Sequence, residues 1–178
     1  SMMALAKVDG RVCAFLEPIA LYMTKDLYQA GDGLWLTAYP APDQAMEIGS
    51  ERTYFPENND LVIFTFGNGV PMALRAARQI EDMLQWKVRI VDLRWLQPLN
   101  QSAIGRHAAE CKRLLVVDEG RRSAGVGEGI ITAIMETGQG AKPMRRVVGA
   151  DTYTPLAGAA FAVIPADVDI LNAAIDMV

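Results

Sequence analysis

The chain has 178 residues, enough for one domain with a filled core and too few for two. A hydrophobic content of 51% with glycine-marked turns argues against disorder, and 17 basic against 21 acidic residues, a net charge of -4, argue against a nucleic-acid surface. No run reaches the roughly 20 apolar residues that span a bilayer, and the start lacks a secretory pattern, so a cytoplasmic protein without a membrane segment is expected.

Ser1 ahead of Met2 and Met3 reads as an expression scar. "RVCAFL", Arg11 to Leu16, has the apolar content of a short strand, and Pro18 suits the first turn of a helix running from Ile19 to about Gln29, with Ile19, Tyr22 or Met23, and Leu27 along one side. Residues 31–59 hold three prolines and three glycines without a sustained period, so an irregular connection is expected, with one short strand around Arg52 to Phe55.

From Asp60 onward the pattern is regular. "LVIFTF", "VRIVDL", "RLLVVD" and "RRVVGA" are strand-length apolar runs. Helical stretches lie between and after them: Pro71 to Gln85, a short helix capped by Asn100, one from about Glu128 to Glu136, and a last one in "ADVDILNAAIDM". Strands buried on both faces and alternating with single helices imply an α/β fold with a mostly parallel sheet.

Candidate chemistry is sparse. Gly67 and Gly69 follow a strand and precede a helix, where a backbone can cradle phosphate, but Met72 stands where the dinucleotide fingerprint needs a small residue, and Asp92 would have to serve as the ribose carboxylate. A tight turn accounts for both glycines. Gly125, Gly127 and Gly129 suit close packing of a helix start on the sheet. Asp118 and Glu119 are adjacent carboxylates at a strand end, read as a loop anchor and a boundary or interface group. His107, the only histidine, reads as a surface or partly packed side chain. Cys13 and Cys111 have no Cys or His at metal spacing and read as free thiols. The pairs Arg121–Arg122 and Arg145–Arg146 read as solvated edges.

Four strings stand in order over nearly the whole chain: "FLEPIALY", "VRIVDLRWLQPLN", "RLLVVDEGRRSAGVGEGIITAI", and "VVGADTYTPL" followed by "VIPADVDILNAAI". This arrangement resembles the C-terminal domain of transketolase-like, thiamine-diphosphate-dependent enzymes. It is most similar to the β subunit of the E1 component of 2-oxoacid dehydrogenases, with Glu17, Leu21 and Tyr22 matching that family's exit from the preceding domain.

The resemblance implies a three-layer α/β/α domain with a five-stranded mixed, mostly parallel sheet, for whose antiparallel edge strand Arg52 to Phe55 is the candidate. Residues 1–30 would be a remnant of the upstream pyrimidine-binding domain and its connecting helix, 31–59 an irregular linker, and 60–178 the C-terminal domain itself. Thiamine diphosphate and magnesium are then expected in the full-length parent or complex, with no catalytic, cofactor-binding or metal-binding residue in this chain. The implied role is that of a subunit-assembly and regulatory or docking domain, inactive alone. The alternatives are the C-terminal domain of a transketolase moving two-carbon ketol units, and a non-catalytic protein interaction module. Implied partners are a second copy, an E1 α-type subunit or the missing N-terminal domains, and an acyltransferase core. Glu17 marks the domain exit, Gly125 and Gly127 are structural, and Glu119, Arg121, Arg122, Asp151, Tyr153 and Pro155 form one edge of the contact. A histidine found in many E1 β subunits falls on Leu156 here, while Asp151, Thr152 and Pro155 are kept.

Overall fold

Buried along its whole length, the run Leu61–Thr65 (β2) forms the middle of the sheet. The computed structural model describes residues 1–41 and 44–178. Its other strands are β1 (Arg52–Tyr54), β3 (Val88–Asp92), β4 (Arg113–Arg121) and β5 (Met144–Gly149), in the order β1-β3-β2-β4-β5. Only β1 is antiparallel, pairing Arg52 with Asp92 and Tyr54 with Ile90 on β3; β2–β3, β2–β4 and β4–β5 are parallel. The expected five-stranded mixed α/β sheet, with its antiparallel edge at Arg52, is present.

The helices are α1 (Met2–Val8), α2 (Gly69–Leu84), α3 (Gln101–Glu110), α4 (Val126–Glu136) and α5 (Asp167–Ile175). Alternation along β2 splits the core in two. Leu61 and Ile63 face α2 and α5, whereas Val62 and Phe64 face α3 and α4. Such fully buried side chains each contribute about 1.5–3 kcal/mol over the exposed state. The connection through α2 steps from β2 to β3, and that through α3 steps back past β2 to β4. Right-handed crossovers running in opposite directions leave their helices on opposite faces, which gives the three layers. A bidentate pair, Arg75 to Asp167 at 2.5 and 2.9 Å, joins α2 to the start of α5.

The N-terminal expectations fail. Residues 11–16 form no strand, and the helix expected from Ile19 to Gln29 is reduced to a 3-10 turn at Ile19–Leu21. Val12, Phe15, Leu16, Ile19 and Met23 are exposed. A helix this short needs an apolar surface to lie on, and this one has none among the described residues. Beyond Asp26 the backbone is claimed by carboxylates: Asp32 accepts the amides of Leu27, Tyr28, Gln29 and Leu34, and Asp26 those of Gly31 and Gly33. Those bonds, that from Leu34 above all, hold the Asp32 carboxyl far below its ordinary value. The turn docks through Leu27, Tyr28 and Trp35 onto the α2 side of the core, with Arg78 stacked 5.1 Å from the Tyr28 ring. The helix α1 and a 3-10 turn at Ala157–Ala162 are also absent from the sequence reading. The apolar stretch 157–175 has a mean hydropathy of 1.5, but it is divided between that turn and the nine-residue α5, whose Ile170 and Ala174 are buried in the core.

Asn100 caps α3 as expected, accepting the Ala103 amide at 3.0 Å. At the other end Lys142 reaches from the α4–β5 loop and donates to the carbonyls of Ala108, Ala109 and Cys111 at 2.7, 2.7 and 2.8 Å. These are the acceptors a helix leaves over at its C-terminus. Lys142→Met keeps the stem and removes the donors, so the urea midpoint is expected to fall by the equivalent of about 1–2 kcal/mol; an unchanged midpoint would mean that water serves those carbonyls equally well.

Candidate functional site

Reversal of the crossover direction between β2 and β4 opens a crevice at their carboxyl ends, where open α/β sheets carry their functional groups. The residues there are Gly67 and Asn68 after β2, Asp118 to Arg121 at the end of β4, and, one strand further, the loop after β5.

Asp118 is 3% exposed. Its Oδ1 accepts the Gly120 amide at 2.7 Å and its Oδ2 accepts the Gly127 amide at 2.8 Å, so a β4 carboxylate caps the first turn of α4. This requires close approach. A Cβ at Gly125 would lie 2.8 Å from Asp118 Oδ2, and one at Gly127 would lie 3.3 Å from it and 3.4 Å from Val116 Cγ1. Gly129 is less constrained, with Leu99 at 3.5 Å from such an atom.

Glu119 points the other way and accepts from Asn68 Nδ2 at 2.8 Å, tying β2 to β4. Burial, together with the neighbouring Asp118, raises its pKa, and the Asn68 bond offsets part of the rise. Ser123 in the β4–α4 loop donates to Asp151 after β5 at 2.7 and 2.8 Å to its two oxygens, fixing the two loops side by side. Between them is a cavity of about 320 Å³ lined by Glu119, Arg121, Ala150, Thr152, Tyr153 and Ile164. Arg121, Arg122 and Pro155 are exposed. Tyr153, Leu156 and Phe161 project outward at 89, 91 and 79% exposure.

Of the sequence candidates, Glu119, Arg121 and Tyr153 share one cavity, and Gly125 and Gly127 sit against Asp118. Glu17 is not among them. It lies on the N-terminal arm, where it accepts the Tyr22 hydroxyl and raises that phenol's pKa. The arm nevertheless crosses the same edge, because a Cβ at Gly67 would meet Pro18 at 3.5 Å. Asp92 is no ribose ligand in waiting: it ends β3 against the Arg94 amide at 3.2 Å, with its pKa raised by burial. Asn68 and Ser123 carry no signal in the sequence, since single polar residues in turns have no period. His107 was misjudged as a surface or partly packed group. It is buried, covered by β1 and the Arg89 side chain, neither of which is near it in sequence.

A family model described as transketolase, C-terminal domain, matches residues 53–168. The 3-methyl-2-oxobutanoate dehydrogenase subunit beta of Mycobacterium tuberculosis is 32% identical over 149 residues, covering 70% of this chain and 43% of that protein. The pyruvate dehydrogenase E1 component subunit beta of Staphylococcus aureus is 31% identical over 137 residues, covering 76% of this chain and 42% of that protein. The chain thus spans less than half the length of these curated relatives. Among solved structures, a split-gene transketolase described as an inactive beta4 tetramer superposes with a TM-score of 0.65 over 80% of this chain and 45% of its own, at 20% identity, a likeness of fold.

Asp118→Asn preserves size but turns an N–H toward one of the two amides. The expected outcome is a loss of about 1–3 kcal/mol in denaturant unfolding. An unchanged midpoint would remove Asp118 from its role as the anchor of the two loops.

Proposed function

The chain belongs to the transketolase C-terminal domain family, and on that premise we propose that it is the subunit-assembly and docking domain of a thiamine-diphosphate-dependent 2-oxoacid dehydrogenase E1 β-like protein. The observation that carries this reading is the pair of loops pinned together by Ser123 and Asp151, on which Arg121 and Tyr153 line one cavity and Arg122, Leu156 and, just beyond, Phe161 are exposed. Aromatic residues and arginine are enriched at interface centres, and an exposed apolar group ringed by charges marks a contact surface. A face bearing both signs, with Arg121 and Arg122 near Glu119 and Asp151, is self-complementary, as a two-fold contact between copies requires. The reading therefore includes a homodimer. An E1 α-type subunit or N-terminal domains, and an acyltransferase core, would be partners of the parent.

The carboxylates of this edge do not fit a magnesium-bound diphosphate. Asp118 is occupied by two amides, Glu119 by Asn68, and Asp151 by Ser123. Among the described residues no group of three or more His, Cys, Asp or Glu could hold a metal ion. In this reading thiamine diphosphate and magnesium belong to other parts of the parent, and this chain contributes no step of the reaction. The E1 β assignment is preferred over transketolase because identities of 31–32% accompany it, whereas the transketolase likeness is one of fold at 20% identity.

Sedimentation velocity across a concentration series tests the reading. The unaltered chain is expected to show a monomer–dimer equilibrium that Arg122→Glu weakens. A single monomeric species at about 100 micromolar would contradict retained pairing, and a dimer indifferent to the reversal would place the contact elsewhere.

A further inference from the structure

Far from the carboxyl-edge loops, the only histidine in the chain sits in a closed polar network under the edge strand. Arg89 on β3 and His107 on α3 are each 5% exposed. Arg89 Nη1 lies 3.1 Å from His107 Nδ1, and Arg89 also donates to the Asn58 carbonyl at 2.9 Å and to Glu110. On the other side of the ring, Nε2 has Thr53 Oγ1 at 3.4 Å, Arg106 Nη2 at 3.3 Å and Glu51 Oε1 at 3.5 Å. Glu51 accepts from Arg106 at 2.7 Å, and Asn100 Nδ2 reaches the Gly49 carbonyl at 2.9 Å and Glu51 at 3.3 Å. Residues 49–54 are therefore strapped to α3 at three points, the Asn100 cap, the Arg106–Glu51 ion pair and the His107 ring.

We propose that His107 is a proton-operated latch for this strap: protonation at Nδ1 releases β1 and the residues before it from α3 while the central strands stay folded. The geometry dictates the direction. A guanidinium can only donate, and each ring nitrogen faces one; Nδ1 has Arg89 as its one contact among the described residues, whereas Nε2 has the acceptors Glu51 and Thr53 beside Arg106, so the neutral ring presents its lone pair at Nδ1 and carries its hydrogen on Nε2. A proton added to Nδ1 meets an Arg89 N–H head on, at a ring that is 5% exposed.

The charged groups facing the ring are Arg89 from β3, Arg106 and Glu110 from α3, and Glu51 from the strap. Two cations and two anions already balance, and a charged imidazole is an uncompensated third cation. Burial first, and then Arg106 and Arg89, accordingly hold the His107 pKa below its ordinary 6.5 against the opposing pull of Glu51. The stabilisation is complete above 6.5 and is lost as pH falls from there toward the folded-state value, because only the released ring takes up the proton freely. The strap yields before the rest of the domain because β1 has three residues and pairs with β3 alone, whereas β3 is also held by β2.

Amide hydrogen exchange on the whole chain, corrected for intrinsic rates, tests the latch. Opening of residues 52–54 is expected to rise as pH is lowered from 6.5, by up to about tenfold per pH unit, while residues 61–64 stay protected and His107→Gln abolishes the dependence. Opening of β1 that ignores pH, or that keeps its dependence in His107→Gln, would overturn the proposal. Because that variant must fold to be informative, the ring itself supplies a second test in the unaltered chain. Its nitrogen NMR shifts should report hydrogen on Nε2 and titration below the ordinary value; hydrogen on Nδ1, or ordinary titration, would overturn it equally.

Discussion

A carboxylate buried at the end of β4 must accept from someone, and the two donors that Asp118 finds are backbone amides on either side of the loop it begins. Everything at the carboxyl edge follows from that requirement. Gly120 turns back over the carboxylate, α4 starts where its first free amides can be capped, and Gly125 and Gly127 must lack side chains for the helix to come so near. The loop between is left no freedom to fold elsewhere, so Ser123 meets Asp151 and the loop after β5 is fixed in turn.

The neighbouring carboxylates of this edge are engaged as well. Asp118 and Asp151 are spent on holding loops, and Glu119 on joining β4 to the turn after β2 through Asn68. At the surface, aromatic, aliphatic and guanidinium groups stand on a rigid base together with the exposed Asp151. Such a composition suits the contact face proposed above.

The core was legible because it is written locally. Each strand of the parallel sheet is a run such as "LVIFT" that no neighbour is needed to interpret, and the α2, α3 and α4 faces recur at helical spacing. The edge strand at Arg52 has three residues; a short strand there was legible in the sequence, while its place as the antiparallel edge entered through the family resemblance. Residues 11–29 show the opposite limit. Their apolar content suits a strand and a helix, but extended chain becomes a strand only by pairing, and the carboxylates of Asp26 and Asp32 outbid a helix for the same amides. Partners distant in sequence also explain the rest. Asp118 was legible as an anchor, though not what it anchors, and His107 could not be known as buried without Arg89, 18 residues away, and Thr53, 54 residues away.

Hydrogen exchange by mass spectrometry at low and high protein concentration tests most directly whether the rigid carboxyl edge is where this chain meets its own kind. Self-association through that edge predicts concentration-dependent protection in residues 119–126 and 151–162, with the opposite ends of the strands unaffected. Protection confined to other segments, or none at any concentration, would contradict it.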